Sequence, residues 1–497
     1  MTIDEIRSRA EKLNSSLEQE YYETDGGFKI ESNVAAIVAV FADLCRPTTY
    51  DTVCESLDAA SDPDEVRRLT HLREFIVEQR QLAGLADITD RMNEAEATAM
   101  VDVGGENIPY RMVPGLVRNE DDRAKRTASY DARNEAVEGF HELLNTRVRR
   151  MVHGAVDMGF ADYLAMFEEL SGIAVVPIVT QMRILMEKTT GLYRSCLEKR
   201  LSETSGISLS EAKRTDSIYA FRGEEFDVLF PKGGEQELAQ RFTDGLGIDL
   251  TAGGNVTIDT EQREHKSPRA FCCTVNVPHN VYLVTKPSGG ASDYGAFFHE
   301  LGHALHFGNV GASVPFELSV LGDNSVTESF AFLFENLLID RSYLELVFPD
   351  QNMNAYLSVA LLEQLDYYRR YGAKIAYEAQ LYDGVEDGLD FQRQRYQDLL
   401  SEASMLPWPS EPYLDDVDPF YHATRYLRAW MLSAQMALYF RETFGDRWFA
   451  DKRTGQALVE LWGIGQELSA DELSKQFGFE TLSVEPMLQQ IAQLDSL

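Results

Sequence analysis

The sequence predicts a mainly α-helical fold of two lobes with one small β-sheet, and three observations predict it. Apolar residues recur at helical spacing through most of residues 1–200 and again after 290. Between about 203 and 290 the texture changes to frequent Gly and Pro with β-branched or aromatic runs. No convincing internal repeat divides the 497 residues. The expected organisation is an N-terminal helical lobe over 1–200 and a second lobe over 201–497, with the sheet at about 225–287, together forming one structural unit.

Composition narrows the class. Hydrophobic residues make up 44% of the chain, enough for a sizeable core. No apolar run reaches the roughly 20 residues of a membrane span, and the start MTIDEIRSRAEKLN is charged and helical, so a soluble, cytoplasmic protein is expected. The 81 acidic residues outweigh 46 basic ones, for a formal charge of -35. Such a field repels nucleic acid and anionic membranes at long range, which excludes both as main partners and favours neutral or cationic ligands. Cys45, Cys54, Cys196, Cys272 and Cys273 are odd in number and lack CxxC spacing, so they read as reduced thiols.

In chain order, Val34–Leu44, Asp64–Leu82, Ala124–Met151 and Leu164–Leu201 mix apolar positions at helical spacing with charges. Val103–Val113 is an irregular break punctuated by Gly104, Gly105 and Pro109. His141-Glu142 opens like a metal motif, but position 145 is Asn. Phe226–Phe230, Ala270–Val277 and Val281–Thr285 read as strands, the last two forming a hairpin through Pro278, His279 and Asn280. The linker SGGAS, Ser288–Ser292, leads into a helix over 292–308, which Ser292 or Asp293 can cap and Gly308 can end.

That helix carries the chemistry. In SDYGAFFHELGHALHFG, His299 and His303 are four residues apart and project from one helical face, close enough to hold one metal ion. Glu300, between them, stands where it can take a proton from a metal-activated water. Gly302 lets a backbone or a substrate approach closely. A catalytic zinc site needs a third protein ligand, and Glu317, Asp323 and Glu328 are the candidates. Glu328 is the best placed, because it lies in the periodic segment SVTESFAFLFENLL with Val326, Phe330, Leu333, Phe334, Leu337 and Leu338. Glu335 shares its face and is a natural hydrogen-bond partner for a ligand. The alternative for Glu328 is a capping box with Ser325, and Asp323 is the runner-up ligand.

HELGHALH followed by VTESFAFLFE resembles the thimet oligopeptidase and oligoendopeptidase F family of zinc peptidases, with the same separation between HExxH and Glu. The metzincin pattern does not fit, since it wants Gly at 306 and His at 309, where this chain has His306 and Asn309. The resemblance runs from about 265 to 480, through KSPRAFC, with Arg269 where many members have Gly, to WGIGQELSADELSKQFGFE near the C-terminus. It implies a large two-lobed helical zincin of the neurolysin-like type, whose N-terminal helices roof the active site. It implies one zinc ion per chain on His299, His303 and Glu328, Glu300 as general base, and hydrolysis of internal bonds in short peptides. PFYHATRYLRAWMLSAQ resembles the region in which the family places His and Tyr donors, here Tyr421, His422 and Tyr426. Two other functions stay open. One is a carboxypeptidase or dipeptidase with Arg269, Arg425 or Arg428 as anchor; the other is a scaffold with a residual zinc site. Manganese or cobalt can also occupy such ligand sets.

After the second metal helix, Leu357–Leu381 and Leu389–Ser404 read as helices separated by the polar stretch Asp383–Gly388. The Pro-rich loop Pro407–Phe420 carries Asp415, Asp416 and Asp418, which lack EF-hand spacing and read as a solvated loop. A final helix is expected near Pro486–Leu494.

Overall fold

The computed structural model describes residues 1–385 and 390–497. Helix makes up 71% of the chain and strand 5%, so the fold is mainly α as expected. The principal elements in chain order are α1 (Ile3–Asp25), β1 (Met100–Val103), β2 (Glu106–Pro109), α2 (Val175–Ser205), β3 (Val256–Asp259), β4 (Phe271–Asn276), β5 (Asn280–Val284), α3 (Ala291–Gly308), α4 (Asn324–Glu335), α5 (Asn354–Leu381), α6 (His422–Phe444) and α7 (Ala470–Gln476).

The chain forms two compact units, each assembled from separate segments. The first comprises Met1–Arg80, Glu225–Met353 and Arg428–Pro486; the second comprises Gln81–Glu224, Asn354–Leu427 and Met487–Leu497. The division expected at residue 200 therefore differs from the grouping in space. Helical periodicity reports which face of a helix is buried, not which distant segment buries it. In the first unit α1 packs on β4. Its Glu18 Oε2 accepts a hydrogen bond from the Thr274 N–H at 2.8 Å, which ties the N-terminal segment to a strand 256 residues away.

In the first unit β5 is the central strand of a three-stranded sheet ordered β3-β5-β4, parallel to β3 and antiparallel to β4. The hairpin over 271–284 is the one expected, but two other readings change. Phe226–Phe230 lies in a 3-10 turn, Glu224–Leu229, with Phe230 fully buried against Tyr294 and Phe348. Packing of that aromatic anchor overrides the strand propensity of the run. The third strand is instead VTID at 256–259, too short to show alternation on its own. Helix α3 lies against β4 and β5 and packs most extensively on α4. Phe297, Leu301, Ala304 and Leu305 of α3 are buried, as are Val326, Phe330, Leu333 and Phe334 of α4, matching the apolar stripes in the sequence. Gly302 is what lets the two helices meet: a Cβ there would fall 2.6 Å from the Phe330 carbonyl oxygen and 2.7 Å from the Ala331 nitrogen. A separate apolar cluster, with Ile6, Leu13, Leu44, Val53, Leu69 and Ile76, holds the N-terminal helices together.

In the second unit α2 packs along α5. A buried polar network joins them: the Tyr193 hydroxyl donates to Asp366 Oδ1 at 2.6 Å, and Arg369 donates to the Met186 carbonyl at 2.8 Å. The helix expected over Leu164–Leu201 is broken at Gly172, giving Tyr163–Ser171 and α2. The break expected at Val103–Val113 contains the turn of an antiparallel hairpin, β1–β2, with Gly104 and Gly105 at φ 64° and 92°. Asp416 and Asp418 do not form a solvated loop, because both pair with the buried Lys374 at 3.2 and 3.0 Å. The helix expected from Leu389 is observed over Asp390–Ser404, and residues 386–389 lie outside the described residues. All five cysteines are free thiols. No single helix among the described residues is long and apolar enough to cross a membrane.

Candidate metal centre

Helices α3 and α4 bring three of the expected residues to one point. His299, His303 and Glu328 each offer one ligand atom, and these atoms all lie within 4.8 Å of one another. Glu328 Oε2 is 3.4 Å from His299 Nε2 and 3.6 Å from His303 Nε2. Tetrahedral zinc with bonds near 2.05 Å would separate its ligands by about 3.4 Å, so a metal ion of that size could be held at the two spacings. A second observation agrees: Glu328 Oε2 is buried and has no hydrogen-bond partner among the described residues, which is costly for a carboxylate unless a cation satisfies it.

The outer nitrogens of both rings are anchored. His299 Nδ1 lies 2.9 Å from Glu335 Oε2, the partner expected from the sequence, and His303 Nδ1 lies 2.8 Å from Thr327 Oγ1. With a metal bound, Nδ1–H would donate to each acceptor and leave both Nε2 lone pairs toward the ion. Thr327 was not anticipated. The signal for it was present, since a Thr one residue before the ligand stands on the neighbouring helical face and carries a hydroxyl able to accept.

The electrostatics follow from crowding carboxylates around two imidazoles. Burial pushes the Glu328 pKa up, but His303 and His299 outweigh it and hold the group well below the usual carboxylate range. Burial pushes the His299 pKa down, and Glu328 and Glu335 more than reverse it. Glu300 is different: burial raises its pKa, and the histidines only partly oppose that.

The competing ligands are otherwise engaged. Glu317 is buried between Arg7 and Arg68, at 2.5 and 3.2 Å. Asp323 caps α4 through the Ser325 N–H at 3.0 Å and accepts from Arg428 at 2.9 Å and from the Ala470 N–H, at the start of α7, at 3.0 Å. The capping role thus falls to Asp323, which frees Glu328 from a capping box with Ser325. Asp293 does not cap α3; it accepts from the Gly289 N–H at 2.7 Å and pins the linker.

Tyr421, His422 and Tyr426 belong to the second unit. Tyr421 is fully buried among Tyr163, Phe167 and Tyr382, and its hydroxyl has no hydrogen-bond partner among the described residues. His422 and Tyr426, one turn apart on α6, are half-buried and meet edge to face at 4.9 Å. Of the proposed anchors, Arg428 is buried between Asp323 and Asp471, Arg425 is buried near the Phe167 ring, and Arg269 is exposed. No family model matches the chain, and no curated protein does.

Proposed function

We propose that the protein is a metal-dependent peptidase, with zinc as the expected ion, that hydrolyses internal bonds of short peptides, as its resemblance to the oligopeptidase family implies. The observation that carries this reading is the convergence of His299 Nε2, His303 Nε2 and Glu328 Oε2 beside Glu300. Three protein ligands with an adjacent base is the composition of a catalytic site; a purely structural zinc site is closed by four ligands and has no use for a base. Bound there, zinc would supply Lewis acidity and lower the pKa of a water toward ~7.

The chain's own residues do the rest. Glu335 and Thr327 fix the two imidazole rings with their Nε2 atoms inward. Glu300 takes a proton from the water that attacks the peptide carbonyl and returns it to the leaving amine. The outer edge of β4 offers main-chain groups that hold an extended peptide. The carboxypeptidase alternative is weakened because Arg428 is already engaged by Asp323 and Asp471, which leaves Arg269 as the exposed anchor.

The test is mass spectrometry of a mixed peptide library incubated with metal-repleted and chelated protein. Internal cuts abolished by the chelator support the proposal. Removal of single terminal residues would favour an exopeptidase, and no cleavage after repletion would leave a binding scaffold.

A further inference from the structure

The outer edge of β4 is closed at Thr274 by a side chain of α1. Thr274 sends its N–H away from β5, to Glu18. The partner residue in the register, Val281, sends its N–H to Asn255, on the β3 side. Thr274 and Val281 are therefore a non-hydrogen-bonded pair, and by the two-residue period so are Cys272 and Leu283. Cys272 thus presents both its N–H and its C=O to the outer edge. This edge lies beside the proposed chemistry, because α3, which carries Glu300, packs on β4.

Two residues further along, Glu18 holds the slot that the carbonyl of a paired peptide would occupy. Its carboxylate is half-buried, and hydrogen bonds from the Thr274 main chain and side chain oppose the cost of that burial. A carboxylate so placed both stops an edge from pairing and favours a positive group that arrives next to it. An extended peptide antiparallel to β4, the more stable pairing, brings its amino end toward Thr274. A parallel peptide would bring its carboxylate there, against the charge of Glu18.

We propose that Glu18 terminates the peptide-binding edge and receives the free amino terminus of the substrate, so that cleavage falls close to that end. This rests on the peptidase reading above and narrows it. The residue paired with Cys272 turns both its main-chain groups to β4, so the carbonyl facing the metal belongs to one of its neighbours. Only one residue fits between that pair and Glu18 at about 3.3 Å per residue. No more than about three residues then precede the scissile bond.

The experiment uses the metal-repleted full chain and a peptide series in which the distance from the amino end to the cleaved bond varies, each peptide free and N-acetylated. Wild type should cut within the first three residues and lose at least about tenfold in kcat/KM on acetylation. Glu18→Gln keeps an acceptor for Thr274 but should lose discrimination between free and acetylated peptides, and Glu18→Ala should admit bonds deeper in the chain. Wild type that cuts acetylated peptides equally well, or six residues in as readily as three, overturns the proposal without any variant. Glu18→Gln with unchanged discrimination makes Glu18 only a plug against edge pairing, and also overturns it. A wild type that cuts no peptide at all after metal repletion is a failure of the peptidase reading itself, and this proposal falls with it.

Discussion

Replacing Gly302 by Ala tests whether the close approach of α3 and α4 sets the metal ligands. The added Cβ would meet only backbone of α4, namely the Phe330 oxygen at 2.6 Å, the Ala331 nitrogen at 2.7 Å and the Ala331 Cα. Ordinary contact needs about 3.4 Å and the Ala331 Cα is nearest of the three, so the helices must part by about 1 Å. Gly302 adjoins His303, and Ala331 lies one turn from Glu328, so the separation opens the ligand triangle directly. Oε2-to-Nε2 spacings of 3.4 and 3.6 Å would grow past 4 Å, beyond the roughly 0.5 Å tolerance of a working site. Overpacking should cost the metal-free protein about 1–3 kcal/mol, and metal affinity should fall at least about tenfold. Urea unfolding of chelated protein reads the first effect, and titration against a chromogenic chelator reads the second. A Gly302→Ala protein with wild-type stability and metal affinity would show that this contact does not set the site.

Other outcomes follow from the same geometry. Thr327→Val keeps the shape but removes the acceptor of His303 Nδ1, so metal affinity should drop about 10–100-fold in chelator competition; an unchanged value would deny Thr327 its orienting role. His306 is fully buried, with Nε2 3.3 Å from the Gly465 carbonyl, and burial lowers its pKa to about 3. Its folded pKa is below its unfolded one, so its contribution is complete above about pH 6.5 and is lost as pH falls toward 3, by at most about 1.4 kcal/mol per pH unit. Urea midpoints of chelated wild type should therefore fall more steeply between pH 6.5 and 4.5 than those of His306→Gln, and equal slopes would refute the assignment. The donor role that the family resemblance implies for Tyr426 predicts that Tyr426→Phe lowers turnover with metal content unchanged. Equal turnover would remove it from that role.

The His/Glu cluster that could hold a metal was legible because its parts are local. His299, Glu300 and His303 lie within one and a half turns, and Glu328 and Glu335 share a helix whose apolar spacing fixes its buried face. Gly302 was readable as a close approach, though only the structure names α4 as the neighbour. Less legible was anything decided across long stretches of chain. That Asp323 is held by Arg428 and Ala470 depends on residues 105 and 147 positions away. The third strand, VTID, gains its identity from pairing with β5 and not from its own four residues. FDVLF has strand-like composition, yet Phe230 finds aromatic partners that favour a turn. Glu18 looks like any exposed helical Glu in the sequence, and only the register of β4 gives it a place at the sheet's edge.

In the proposed mechanism Glu300 acts as base beside an ion held by His299, His303 and Glu328. The most direct measurement compares wild type and Glu300→Gln side by side for metal content by mass spectrometry and for turnover of the best peptide in the library. One metal ion per chain is expected in both proteins, with turnover of the variant lower by about 10²–10⁴-fold. A variant that binds metal and keeps most of its turnover, or a wild type that binds no metal, would contradict it.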